Sequence, residues 1–252
     1  MNIVILGSGN VAASLGRKFL TAQHQILQVY GRNTVTGNLL AKEWGTEYCN
    51  NLKQINRNAD IYILAIADNA IEEITKNLQL PGKLIAHTAA AVPMDVLKTV
   101  SERYGVIYPL QSLRKEVVTT DIPFYIEAVN NASLQILKEL AQSISTLPVL
   151  IADYKTRIKL HIAAVMVNNF TNHIFVMAEN FCNKENIDFK MLLPLIQNTA
   201  NRVATTSPSL LQTGPAVRGD VNSITIHEEM LEQYPAMLKL YKCISDSIRQ
   251  CN

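Results

Sequence analysis

The chain has 252 residues, 48% of them hydrophobic and 17% charged, with 23 Lys and Arg against 21 Asp and Glu for a formal charge of +2. So apolar and weakly charged a composition excludes a disordered chain, and no Lys/Arg run is dense enough for a nucleic-acid or lipid-surface face, so a small-molecule partner is expected. No stretch approaches the ~18 apolar residues of a membrane span, and Met1 opens directly into a strand pattern, which points to a cytoplasmic protein.

The first predicted strand, Ile3 to Leu6, runs into Gly7-Ser8-Gly9-Asn10-Val11-Ala12, and a helical pattern with apolar Val11, Leu15 and Phe19 follows. Strand, glycine turn and helix in that order form a dinucleotide-binding turn. Gly7 permits the bend, Gly9 lets the backbone approach a pyrophosphate, and Ala12 allows close helix packing. Ser8, Asn10 and Val11 complete the cradle, with the helix N-terminus aiming its free N–H groups at the phosphates.

A second strand, Ile26 to Tyr30, ends in Gly31-Arg32-Asn33. An NAD site usually carries Asp or Glu there, about 20 residues beyond the glycines, to hold the ribose 2′-hydroxyl. The first acidic residue of this chain is Glu43. A guanidinium in that place suits a 2′-phosphate, so NADP is the expected cofactor, held by Arg32 with Asn33 beside it.

Further strands are predicted at Ile61–Ala67, Lys83–His87, Val106–Tyr108, Phe124–Glu127 and Val149–Ala152, which makes residues 1–152 an α/β domain with a mostly parallel, doubly wound sheet. Ligands of such sheets lie beyond the carboxyl ends of the strands. Those ends carry Ala67-Asp68, His87-Thr88 and Tyr108-Pro109-Leu110-Gln111. Ala67, Asp68 and His87 are therefore candidates for the nicotinamide side, although Asp68 equally suits a helix N-cap and His87 a structural imidazole.

From Asp153 the pattern becomes wholly helical, so residues 153–252 are expected to form an all-helical substrate and dimerisation domain. In its first helix, predicted from Lys155 to Cys182, helical spacing places His161, Val165, Asn168 and Asn172 on one stripe with Asn169 alongside. His161 is the candidate for proton transfer, because imidazole changes charge near neutral pH, and Asn169 the candidate for positioning substrate. The apolar residues Val165, Met166, Phe170, Ile174, Phe175 and Met177 occupy so much of this helix that a homodimer is expected. Later, Thr213-Gly214-Pro215-Ala216-Val217-Arg218-Gly219-Asp220 reads as a rigid loop. There Arg218 could hold an acidic group of the substrate, with Asp220 orienting it. His227 follows on the next helix. Cys49, Cys182, Cys243 and Cys251 lack metal-ligand spacing, so no metal is expected.

Taken together, the glycine turn, His87-Thr88, Pro109-Leu110-Gln111, His161-x-Ala163-Ala164 with Asn169, and above all Thr213-Gly214-Pro215 with Arg218-Gly219-Asp220 resemble a bacterial Rossmann-like oxidoreductase family. Its C-terminal helical domain has no settled function. Pyrroline-5-carboxylate reductases, β-hydroxyacid dehydrogenases and deazaflavin-dependent NADP reductases would be distant relatives. The resemblance implies an NADP-dependent reductase, with the helical domain over the nicotinamide and a dimeric assembly, but supplies no substrate; the leading expectation is an NADP(H)-dependent oxidoreductase that transfers hydride to or from a small carbonyl or imine compound. Two departures stand out. Family members usually have Ser-Gly where this chain has Ala89-Ala90, and His where it has Tyr108. They support an alternative expectation, a protein that binds NADP(H) as a sensor or scaffold without turning it over. A short-chain dehydrogenase is excluded, because none of the nine tyrosines is followed by Lys four residues on.

Overall fold

A computed structural model describes residues 1–117 and 121–251. Its contacts divide the chain into two compact units, Met1–Asn169 and Phe170–Asn252.

The first unit is built on an eight-stranded sheet in the order β3-β2-β1-β4-β5-β6-β7-β8. The strands are β1 (Asn2–Leu6), β2 (Gln25–Tyr30), β3 (Glu47–Cys49), β4 (Ile61–Leu64), β5 (Leu84–His87), β6 (Arg103–Pro109), β7 (Phe124–Ala128) and β8 (Val149–Ile151). All neighbours pair in parallel except β6 and β7. The central strands β4 and β5 are buried residue after residue, as parallel strands covered on both faces must be.

Alternation along those strands divides the core between the two faces of the sheet. Ile3, Ile5, Val29, Ile61 and Ile63 pack with Leu15 and Phe19 of α1 (Asn10–Thr21) and with Leu40 and Trp44 of α2 (Thr34–Trp44). Val4, Leu6, Tyr62, Leu64 and Ile85 pack on the other face with Ile71 and Ile74 of α3 (Asp68–Asn77). Close approach of α1 and α2 depends on Gly16, where a Cβ atom would lie 2.3 Å from the Trp44 ring. The unit continues through α4 (Asn131–Ser143) and α5 (Tyr154–Ala164). Of the strands, only the three-residue edge strand β3 was not anticipated, since Glu47-Tyr48-Cys49 is too short for a periodic signal.

The last strand ends two residues before Asp153, where the sequence pattern turns helical, yet the first compact unit runs on to Asn169. Arg157 of α5 accounts for the difference. Its side chain is completely buried and its guanidinium is fully engaged with the sheet unit. Nε donates to the Ala90 carbonyl (3.1 Å), Nη2 to the Val92 carbonyl (2.8 Å), and Nη1 to the Glu127 carboxylate (2.6 Å). Close by, His87 is also fully buried. Its Nδ1 accepts from the Ala89 N–H at 3.2 Å. Nε2 has no partner in hydrogen-bonding geometry, although the Pro93 carbonyl lies close enough to favour the charged ring slightly. Burial first, and then the Arg157 charge, push the imidazole down to about 4.

The second unit contains α6 (Thr171–Lys184), α7 (Leu193–Val203), α8 (Pro208–Leu211), α9 (Pro215–Arg218), α10 (Val221–Met230) and α11 (Pro235–Cys251). Helix α9 packs on α10 and α11. Few side chains are buried here, among them Cys182, Ala216, Ile224 and Leu231. No helix among the described residues is long and apolar enough to cross a membrane.

Two stability measurements test the buried polar network. Removing one partner of a buried ion pair strands the other, so Arg157→Met is expected to lower unfolding stability by about 3–5 kcal/mol in urea titrations. A loss under 1 kcal/mol, on the order of a surface pair, would contradict the assigned burial. His87 is neutral in the folded state and titrates at its ordinary value when unfolded, so the unfolded state binds the extra proton as pH falls below 6.5. Stability should therefore be complete above pH 6.5 and fall by on the order of 3 kcal/mol by about pH 4, an acid limb that His87→Gln removes.

Candidate functional site

The strand order reverses between β1 and β4, and at such a switch point the connections leave on opposite sides and open a crevice at the carboxyl ends. A cleft of about 250 Å³ lies there, bounded by Gly7, Ser8 and Gly9 after β1, by Tyr30, Gly31, Arg32 and Asn33 after β2, and by Ala65, Ile66 and Ala67 after β4. The local sequence explains its shape. Gly7 has φ +138°, a left-handed conformation, and a Cβ atom there would lie 2.0 Å from the Ala65 carbonyl oxygen. Only glycine fits. At Gly9 an added Cβ would meet nothing within 4 Å, so this glycine faces open space.

Gly9 is the N-cap of α1 and has no side chain with which to cap it, and the first turn contains no acidic residue. The first N–H groups of the helix therefore face the cleft without a carboxylate competing for an anion. Ser8 is fixed by a 2.8 Å hydrogen bond between its Oγ and Thr36 Oγ1. Asn33 caps α2, its side chain accepting from the Thr36 N–H at 3.0 Å. Arg32 stands at the rim and pairs with Glu73 of α3 at 3.4 Å, both side chains about two-thirds exposed. An ion pair so exposed is weak and readily exchanged for a phosphate. Glycine backbone, free helix N–H groups and a rim guanidinium fit an NADP pyrophosphate and 2′-phosphate.

Of the ten residues expected at a cofactor, the structure brings Gly7, Ser8, Gly9, Arg32, Asn33 and Ala67 onto this cleft. Asn10 lies beside it as the first residue of α1 and accepts from the Lys115 N–H at 3.4 Å. Val11 is half-buried and packs against the core. Ala67 rather than Asp68 holds the N-cap position of α3 and makes no side-chain cap. Asp68 is thus exposed in the first turn, its carboxylate free of a capping role. His87 is corrected: a fully buried ring presents no surface to a cofactor, and its place is in the network with Arg157.

Further along the same sheet edge, Tyr108 lies near the carboxyl end of β6 and is 7% exposed. Its hydroxyl lies 3.1 Å from His161 Nδ1, with the two rings edge-to-face at 6.2 Å. Burial pushes the Tyr108 phenol up, Arg157 offsets part of this, and Asp68 and Tyr125 add to it. The phenol therefore keeps its proton at neutral pH. His161 is half-buried on α5, one helical turn beyond Arg157. The sequence pointed to His161, placed Tyr108 at a ligand-facing strand end without a role, and left Arg157 unassigned. The available signal was the i, i+4 spacing of Arg157 and His161, which puts them on one helix face.

The other expected residues lie elsewhere. The stripe drawn through His161, Val165, Asn168 and Asn172 does not survive, because Val165–Phe170 forms a π-helical turn that changes the angular spacing. Asn169 lies in that turn and is exposed. In the second unit, the expected loop contains the one-turn helix α9, with Gly214 and Gly219 at left-handed φ on either side. Arg218 is exposed at its C-terminus. Asp220, expected to orient Arg218, caps α10: Oδ1 accepts from the Ser223 N–H (3.0 Å) and Oδ2 from Ser223 Oγ (2.7 Å). Those bonds hold its carboxyl below the usual range. His227 of α10 pairs through Nδ1 with the Tyr241 hydroxyl of α11 at 2.9 Å.

Residues 2–91 match the family described as NADP oxidoreductase, coenzyme F420-dependent, and residues 122–248 match a domain of unknown function, DUF2520. A "putative NADP oxidoreductase" from Bacteroides fragilis is 38% identical over 99% of this chain and 98% of its own, with a TM-score of 0.92. A reductive aminase from Aspergillus terreus, solved with NADPH and ethyl-5-oxohexanoate, matches at 15% identity, 99% and 94% coverage and a TM-score of 0.73. Pyrroline-5-carboxylate reductase from Streptococcus pyogenes matches at 15% identity, 99% and 98% coverage and 0.67. These last two show a shared fold. Comparison with curated proteins gave no match. The glycine turn at the switch point and the helical second half are thus those of relatives along the whole chain, and the protein belongs to the NADP oxidoreductase family that carries the C-terminal DUF2520 domain.

Proposed function

We propose that the protein is an NADP(H)-dependent oxidoreductase that reduces a small carbonyl or imine compound. The observation that carries this reading is the switch-point cleft, where a glycine turn and uncapped helix face one side and Arg32 occupies the place of the NAD-type acid. NADPH, when bound, supplies hydride. Gly7, Gly9 and the start of α1 hold the pyrophosphate, and Arg32 exchanges Glu73 for the 2′-phosphate. His161 serves proton transfer, and Asn169 orients the substrate. Arg218 holds an acidic group of the substrate, on a segment that Asp220 anchors through its cap. The family description and the neighbour solved with NADPH and a keto ester support the cofactor and the substrate class.

A second copy of the chain is the proposed partner. The second unit exposes Phe170 (53%), Met191 (75%), Leu195 (64%), Leu210 (79%) and Met230 (60%), more apolar surface than so thin a core leaves stable in water. Burying these faces against a copy supplies the missing core.

Thermal shift measurements test the cofactor. NADPH is expected to raise the melting temperature well above the shift given by NADH, and Arg32→Glu should remove the difference, since a carboxylate there repels the 2′-phosphate. Equal protection of the native protein by both cofactors contradicts the reading. For the assembly, sedimentation at micromolar concentration should give a dimer mass; a monomer would contradict it.

A further inference from the structure

The reductase reading needs a proton as well as a hydride. We propose that Tyr108 is the proton donor of this site and that His161 reloads it from solvent. The inference rests on the reductase reading and adds to it a residue that the reading had given no role.

Three observations carry it. Tyr108 stands near the carboxyl end of β6, on the sheet edge where β1, β4 and β5 end and where ligands of open sheets bind. Its ring is almost wholly buried, which fixes the hydroxyl, and that hydroxyl is 3.1 Å from His161 Nδ1. His161 is only half-buried, so its ring exchanges protons with solvent while Nδ1 stays committed to the phenol. The charged and titratable groups acting on Tyr108 are Arg157 of α5, Asp68 of α3 and Tyr125 of β7, besides His161 itself. Burial, Asp68 and Tyr125 keep the phenol protonated; Arg157 and a hydrogen bond from Nδ1–H limit the cost of losing that proton.

The step balances. The electrophilic carbon of a C=O or C=N bond gains hydride, and its heteroatom takes the proton as the Tyr108 O–H bond breaks. Tyr108 Oη then takes the proton from Nδ1 of the neutral His161 ring as Nε2 takes one from solvent, which leaves the ring neutral with its proton on Nε2; exchange with solvent restores the Nδ1–H tautomer before the next turnover. Substrate gains two electrons and two hydrogens, and NADPH is oxidised to NADP⁺.

The test uses the full-length protein with NADPH and, as probes, 1-pyrroline and pyruvate. Tyr108→Phe removes one oxygen from a buried ring and is expected to lower kcat by about 10²-fold or more with KM and NADPH affinity nearly unchanged. Tyr108→His should restore much of the loss, which a purely structural tyrosine would not allow. His161→Gln should lower kcat and flatten its pH profile, and it carries the test should Tyr108→Phe fold poorly. Independently of turnover, the imidazole ¹⁵N signals that vanish in His161→Gln should shift in Tyr108→Phe without cofactor present; signals left unmoved overturn the pairing. Native protein that consumes NADPH while Tyr108→Phe does so equally well overturns the relay alone. Native protein that binds NADPH and consumes it with neither probe overturns the reductase reading and the relay with it.

Discussion

A single buried guanidinium holds the proposed chemistry in place. Arg157 has no exposed surface, and its three hydrogen bonds join the chain after β5, through the Ala90 and Val92 carbonyls, to Glu127 on β7 and to the helix that carries Arg157 itself. An arginine can do this because its planar fork satisfies several acceptors in fixed directions, where a lysine offers a point charge. One turn later along the same helix His161 meets Tyr108. The clamp thus ties α5 to the chain after β5 and to β7, the strands on either side of β6.

The same charge sets the protonation of its surroundings. It opposes a proton on His87, which burial already disfavours, and it favours loss of the proton from Tyr108, which burial opposes. Two aromatic side chains a short distance apart are thereby driven to different uses. His87 stays neutral and structural. Tyr108 keeps a proton that it can release as His161 Nδ1 supplies another. This separation of roles is the physical content of the sheet edge beyond β5 and β6, while the cleft between β1 and β4 is built for phosphates.

Much of the fold was legible because it is dictated by short-range pattern. The apolar runs of β1, β4 and β5 are continuous, as parallel central strands require, and the glycine turn is forced by a backbone that leaves no room for Cβ at Gly7. The cofactor cleft followed from the same local signals. Much of the rest was not legible because it depends on contacts between residues far apart in sequence. Glu127 and Arg157 are 30 residues apart, and Ala90 and Arg157 are 67 apart. Tyr108 and His161 are separated by 53 residues, so no spacing rule joins them. The π turn at Val165–Phe170 defeated a stripe drawn on α-helical spacing, and Asp220 showed itself a cap only once Ser223 was in view.

The central claim is that this family member uses the cofactor it binds for hydride transfer. It is tested most directly by giving the protein NADPH deuterated at one face of nicotinamide C4, together with 1-pyrroline or pyruvate, and weighing the product. The account predicts one deuterium on the reduced carbon when one C4 position is labelled and none when the opposite position is. Tight NADPH binding with no labelled product from either probe would contradict it and leave a dinucleotide-binding protein without turnover.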